Sequence, residues 1–316
     1  MTYSSGGLIQ ATDYNGFVST NSGANVNGVW NTLWGQSALS TVSTSGTVTA
    51  TQWASLVNTL ASMGSQTNTT ITARTAPTTG QTIGILSALN TDLTNCTTNA
   101  RNAAAVGSQF TGWSGTNSNT AGKSGATWTI TFTNTVTWAS SAAASYFFNA
   151  GGLIKLDVSK TATGNTGDPE WNDLANTLCG DIYISGAAAS KTIAGTAYTG
   201  TTKIGGTGTP NVLSTATGWD SLVAGAAATI VYKQFADTAP YTTNYIQHAI
   251  AKNAGGDTLT ITTTWYNGDS DPISGGTAAS GATPGTGACT ICTYFPPSTT
   301  YLTNSWGSPT VAATTV

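Results

Sequence analysis

Thr127-Trp128-Thr129-Ile130-Thr131-Phe132-Thr133 alternates a large apolar side chain with threonine at every step. A strand turns successive side chains to opposite faces, so this run has one apolar and one hydroxylated face. It reads as a half-buried strand of an antiparallel sheet. Thr258-Leu259-Thr260-Ile261-Thr262-Thr263-Thr264-Trp265 nearly repeats the pattern. Further strands are expected at 145–149, 152–158, 181–185, 228–234, 244–251 and 291–295, separated by Gly, Asn, Asp and Pro clusters. Tyr146-Phe147-Phe148 reads as a strand core, and Gly151-Gly152 as a tight reversal into 153–158, together a hairpin. A short helix is expected at 169–178, with Pro169 at its first position and Glu170 and Asp173 near its positive end. Seven or more strands at irregular spacing imply a β-sandwich-like domain. The stretches 185–218 and 274–288 read as loops or weak strands.

Upstream the period changes. Thr49-Ala50-Thr51-Gln52 has the form of a capping box. Trp53, Leu56, Val57, Leu60 and Met63 then form one helical stripe that Gly64 ends. A second stripe, Ile83, Leu86, Leu89, Leu93, Cys96, Ala100, Ala103 and Val106, predicts a helix of about six turns closed by Gly107. Its one basic residue, Arg101, suits the negative end of the helix dipole. The polar faces are Thr, Asn and Ser, which are poor helix formers, so these helices need packing partners. Ala11–Thr20 and Ala50–Thr59 share the pattern A-T-x-aromatic-x-x-apolar-V-x-T. Two copies suggest quasi-equivalent helices packed together and are too few for a solenoid. The expected fold is α+β, a helical N-terminal region followed by a mainly antiparallel β-sandwich-like domain. The division runs 1–112 helical, 113–122 linker and 123–316 β.

Charge sharpens that division. The 316 residues hold 9 basic and 12 acidic side chains, or 7 % charged, against about 25 % for an ordinary soluble domain. Only Asp13, Arg74, Asp92 and Arg101 fall before residue 123. There are 64 Thr and 37 Gly. The scattered Lys and Arg and the net charge of −3 leave no phosphate-neutralising surface, which argues against nucleic acid as a partner. No apolar run is long enough for a membrane span. Low charge with 9 % aromatics argues against generic disorder. The start, Met1-Thr2-Tyr3-Ser4-Ser5-Gly6-Gly7, has no basic segment before an apolar one, so the expectation is a complete chain made in the cytosol rather than a secreted one. A neutral, hydroxylated surface carries little repulsion between copies and favours assembly. The nearly charge-free helical third is where the sequence places subunit contacts.

Catalytic patterns are sparse. Cys289-Thr-Ile-Cys292 is a lone CxxC, and Cys96 and Cys179 are isolated; a zinc site needs a second pair or a His pair. Gly122-Lys123-Ser124 lacks the Gly five residues earlier and the preceding strand of a phosphate loop. Gly205-Gly206-Thr207-Gly208 lacks the third glycine of a dinucleotide site. The single His, His248, sits in an apparent strand with no flanking acid, and reads as structural rather than catalytic. Asp168/Glu170 and Asp269/Asp271 are the close acid pairs. The first reads as helix N-terminal charge, the second as a turn that holds Ca²⁺ at most weakly. A polysaccharide-cleaving enzyme would need Glu170, Asp269 or Asp271 in a cleft with a second acid. Trp113, Trp128, Trp138, Trp171, Trp219, Trp265 and Trp306 read as core, with sugar stacking as the alternative. No residue is assigned as catalytic, cofactor-binding or metal-binding, and no cofactor is called for.

Val48-Thr49-Ala50-Thr51-Gln52-Trp53 with its helix resembles the N-terminal region of virion structural proteins of tailed bacteriophages. Leu8-Ile9-Gln10-Ala11-Thr12-Asp13-Tyr14-Asn15 resembles their opening segment. Ser145-Tyr146-Phe147-Phe148-Asn149-Ala150-Gly151-Gly152-Leu153-Ile154 is similar to their aromatic-aromatic-Asn-x-Gly-Gly motif, with Trp171-Asn172-Asp173-Leu174 at a familiar distance after it. The likeness covers about 1–275 loosely, and Ser145 stands where a basic residue often precedes the Tyr. It implies a non-enzymatic component of the virion, in a tail fibre, collar or baseplate. The implied partners are copies of the chain, a trimer by analogy with fibres, and other virion proteins. The other class that the aromatic content allows is a carbohydrate-binding, receptor-recognising module whose partner is a host surface glycan.

Overall fold

The structure, a computed structural model, describes residues 10–20, 24–81, 87–101, 113–118, 127–161, 168–186, 191–193, 195–268 and 288–315. The chain is α+β, with an N-terminal helical region and two antiparallel sheets. Helix α1 (Ala11–Asn15) runs on as a π-helical segment, Gly16–Thr20, and α2 spans Ala50–Gln66. The two copies of the shared pattern therefore start their helices at the same place. Thr49 caps α2: its Oγ1 accepts from Gln52 N at 3.2 Å, while Gln52 Oε1 accepts from Thr49 N at 2.9 Å. In the first copy Asp13 Oδ2 accepts from Gln10 N at 3.3 Å. The equivalent aromatics meet, with Tyr14 and Trp53 centroids 6.0 Å apart and Phe17 set edge-on to Trp53 at 6.1 Å.

Helix α3 covers Ser87–Thr98, shorter than the expected six turns. Its last turn is rich in Thr and Asn. Thr94, Thr97 and Thr98 each donate a hydroxyl to the carbonyl four residues back, an arrangement that slightly destabilises a helix. Asn99–Arg101 then form a turn. The expected extension over 102–107 and its start before 87 lie outside the described residues.

Strand β1 (Trp113–Ser118) corrects the linker expectation: backbone pairing places it at the edge of a sheet, with Trp113 opposite Tyr294 and Ser118 opposite Cys289. Turn-type composition does not stop an edge strand whose stability comes from ladder bonds to its neighbour. Strand β2 is Trp128–Thr137, and its inward side chains alternate without a break. The aromatic run that follows is also corrected. Tyr146-Phe147-Phe148 belongs to helix α4 (Ser141–Asn149), not to a hairpin strand. Ser140 Oγ accepts from Ala143 N at 3.1 Å, three alanines start the helix, and Ala143, Ala144, Phe147 and Phe148 are buried on one face. Gly151 N bonds Phe148 O at 3.2 Å and Gly152 N bonds Phe147 O at 2.8 Å. That pair of bonds is a Schellman ending, with Gly151 at φ 111°.

After α4 come β3 (Leu153–Lys160), then α5 (Asp168–Asp173, continuing through Leu174–Cys179). The strands β4 (Asp181–Ile184), β5 (Lys191–Ile193), β6 (Thr196–Tyr198), β7 (Thr201–Ile204) and β8 (Val212–Leu213) follow. The last are β9 (Thr229–Phe235), β10 (Tyr245–Lys252), β11 (Thr258–Asn267), β12 (Ala288–Phe295) and β13 (Thr310–Thr315). One sheet has the order β1-β12-β3-β4-β7 and the other β13-β2-β11-β10-β9-β8, while β5 and β6 form a small hairpin. The large sheets approach at both margins, β1 beside β13 and β7 beside β8. Helix α5 touches β3 of one sheet and, in its second half, β9 and β10 of the other. Trp171 on α5 stacks on Trp265 at 5.5 Å and tilts against Trp128 at 4.9 Å.

One buried apolar cluster runs from Ala11 to Trp306, so the helices and the sheets share a core. Polar ties cross the same boundary. Gln36, 3 % exposed, donates from Nε2 to Thr303 O at 2.9 Å and to Trp34 O at 3.0 Å. Its Oε1 accepts from Thr303 N at 2.8 Å and from Thr303 Oγ1 at 2.6 Å. Gln66 donates to Ala150 O, Asn149 donates to Leu33 O, and Arg101 pairs with Asp220 at 3.3 Å.

Candidate functional site

The four cysteines are free thiols. Cys289 and Cys292 lie on β12, three residues apart, an odd offset in a strand that turns two side chains to opposite faces. Cys292 is fully buried and Cys289 half-buried on the other face, so the two sulfurs cannot share a metal. Burial pushes the Cys292 and Cys179 thiols up to about 12 and the Cys96 thiol to about 11, which keeps them protonated and unreactive. Among the described residues no group of three His, Cys, Asp or Glu is placed to hold a metal ion.

His248 is buried on β10. Its Nδ1 lies 2.9 Å from Thr263 Oγ1, and its ring stacks on Tyr232 at 5.4 Å. Tyr232 Oη in turn donates to Cys179 O at 3.1 Å. Burial pulls the imidazole pKa down to about 3 and pushes the Tyr232 phenol far up, so this row is neutral and faces the core. Glu170 is buried at the start of α5. Burial first, then Asp173 and Asp237, raise its carboxyl pKa. These three acids sit on α5 and just after β9, and among the described residues no basic side chain offsets the shift at Glu170. Asp168 begins α5. Gly205 and Gly206 form a positive-φ turn after β7 against Gly180, where a Cβ on Gly206 would lie 2.6 Å from Gly180 N. Asp269, Asp271 and the stretch from Gly122 to Ser124 lie outside the described residues.

Eight of the ten Trp are buried, Trp30 is half-buried, and the Trp113 side chain lies outside the described residues. An exposed Trp row is therefore absent among the described residues. The concave sites hold little chemistry. A cavity of about 370 Å³ lies between the end of α2 and residues 68–74, and its one charged lining group, Arg74, is paired with Asp92 at 2.5 Å. Another of about 330 Å³ is lined by Tyr294, Pro296, Pro297, Asn304 and Trp306.

The outer face of the six-stranded sheet is different. In register, Phe235 on β9 faces Tyr245 on β10, and Tyr245 faces Tyr266 on β11. Phe235 and Tyr245 meet edge-on at 5.3 Å, and Tyr245 stacks on Tyr266 at 4.9 Å. Lys233 Nζ lies 3.6 Å from the Tyr245 ring centroid and 4.5 Å from that of Phe235. The next row across the sheet is Lys233, Gln247, Thr264 and Thr131. Sequence reasoning did not single out these residues. Their alternation at i and i+2 was visible, but the row exists only through the pairing of three strands.

No family model, no curated protein and no solved structure matches the chain.

Proposed function

We propose that the chain is a non-enzymatic structural component of a tailed-phage virion that assembles with copies of itself. Motif likeness supports the virion reading: the capped helix from Thr49, the Phe147-Phe148-Asn149-Ala150-Gly151-Gly152 turn and the Trp171 helix are each a framework element of this fold. The observation that carries assembly is the run Val223-Ala224-Gly225-Ala226-Ala227-Ala228-Thr229-Ile230. Every residue of it is exposed and none is charged, with Val223 at 71 % and Ile230 at 43 % exposure. Isolated exposed apolar residues are ordinary, but a contiguous strip marks a contact surface. Ile204 and Leu213, the other large exposed apolar side chains among the described residues, also lie in the β region. On this reading the contact lies on the sheets rather than on the charge-poor helices, whose described apolar stripe residues pack into the chain's own core.

Native mass spectrometry of the recombinant protein tests the reading. A stable homo-oligomer, a trimer in the fibre-like form, is the expected result. A lone monomer across micromolar concentrations overturns it.

A further inference from the structure

We propose that the outer face of β9, β10 and β11 binds the carboxylate of an acidic sugar in a surface polysaccharide, with Lys233 as the cation and Phe235, Tyr245 and Tyr266 as the platform. The first support is that, among the described residues, Lys233 forms no ion pair with an acid. Among the described residues, Arg74, Arg101 and Lys155 pair with carboxylates. Lys160 and Lys203 donate to backbone carbonyls. Lys252 lies over Trp219 with Asp220 close enough to favour its charge. Of the basic residues whose side chains are described, Lys233 alone has only two aromatic rings beneath it. Those rings fix the ammonium in place, so little freedom remains to be lost when an anion arrives. Partial desolvation lowers its pKa, with no acid to offset the effect, and a bound carboxylate would recover that loss.

The second support is the chemistry around it. Gln247, Thr264 and Thr131 continue the Lys233 row, and Thr129 lies opposite Tyr266 on the next. An amide, several hydroxyls and aromatic groups side by side on one sheet face suit the hydroxyls and apolar faces of a sugar chain lying along it. The face uses Lys233 and Phe235, further along β9 than the end of the Val223–Ile230 strip, so it does not rest on the assembly reading and can fail independently of it.

The test uses the full chain and three carboxylate glycans, namely oligogalacturonate, sialyllactose and a hyaluronan fragment. Methyl-esterified oligogalacturonate and lactose serve as neutral counterparts, and binding is read by saturation-transfer NMR and calorimetry. At least one acidic glycan is expected to bind tenfold or more tighter than its neutral counterpart, and more weakly as salt rises. Lys233→Met should lose at least tenfold, Lys233→Arg should retain most of the affinity, and Tyr266→Ala should weaken it. Each variant is checked for an unchanged melting curve. Should Lys233→Met fail to fold, Phe235→Leu and Tyr266→Ala carry the comparison. The proposal is overturned by absence of binding to all three glycans at millimolar concentration, by equal binding of wild type and Lys233→Met, or by equal affinity for polyglutamate or free acetate.

Discussion

His248 shows how one side chain can set a pH response without doing chemistry. Its folded pKa, about 3, lies below the 6.5 of an exposed imidazole because the ring is buried. Between those values the unfolded chain binds a proton that the folded chain refuses. Stability from this group is therefore complete above the unfolded value and falls as pH drops through the window. The loss approaches about 1.4 kcal/mol per pH unit, or roughly 2 kcal/mol between pH 6.5 and 4.5. Asp157 and Glu170 act in the opposite sense. Their carboxyl pKa values are raised, first by burial, so their folded forms take up protons early and stability from them grows as pH falls. The raised carboxyls also begin to titrate above the ordinary carboxylate range, so the His248 share is read as the difference between the protein with and without its imidazole. Urea unfolding at pH 7.5 and 5.0 checks this: the midpoint of the wild type should fall, and that of His248→Gln should fall markedly less. An equal fall in both would show that the histidine is not the source.

Two kinds of element decide how much of the fold was legible in sequence. In β2 and β11 every second residue turns inward, and strict alternation has one reading. In α4 the run Tyr146-Phe147-Phe148 is apolar without a period, and such a run does not separate strand from helix. The separating signal lay upstream, in Ser140 as cap and three alanines behind it, and downstream, where Gly151-Gly152 ends a helix as readily as it turns a hairpin. Gly152 is held there by packing. A Cβ on it would lie 2.5 Å from Phe147, whose ring is locked against Trp138 and Phe148 at 5.2 and 5.1 Å. Gly152→Ala should cost roughly 1–3 kcal/mol, read as a lower denaturant midpoint with an unchanged slope. The strand setting of Cys289 and Cys292 makes a second prediction. Under native conditions a thiol reagent should label Cys289 alone at an appreciable rate, all four thiols should react in denaturant, and added Zn²⁺ should leave the melting temperature unmoved. The Lys233 face was not legible for a different reason. It depends on the register of three strands, which local sequence does not encode.

At the scale of the molecule, the low charge of the helical region has an explanation inside the chain itself. The helical region has few charges because it is built into the core: Arg74 and Asp92 pair inside it, and Arg101 reaches across to Asp220. An uncharged, mainly apolar exposed strip lies at Val223–Ile230. Val223→Glu with Ile230→Glu should leave the circular dichroism spectrum unchanged and shift native mass spectra toward the monomer, because like charges would then face each other across the contact. An oligomer unaffected by the pair would place the contact elsewhere.

The bonds between Gln36 and Thr303 also set a timetable. Strand β2 needs β13 on one side, and Gln36 stays without three of its bonds until Thr303 has been made. At a synthesis rate of roughly 5–20 residues per second, the nascent chain spends many seconds with an unpaired strand edge and an open helical core. A ribosome that stalls near residue 300 would therefore release not a smaller version of this protein but a sticky fragment, one that chaperones would have to meet first.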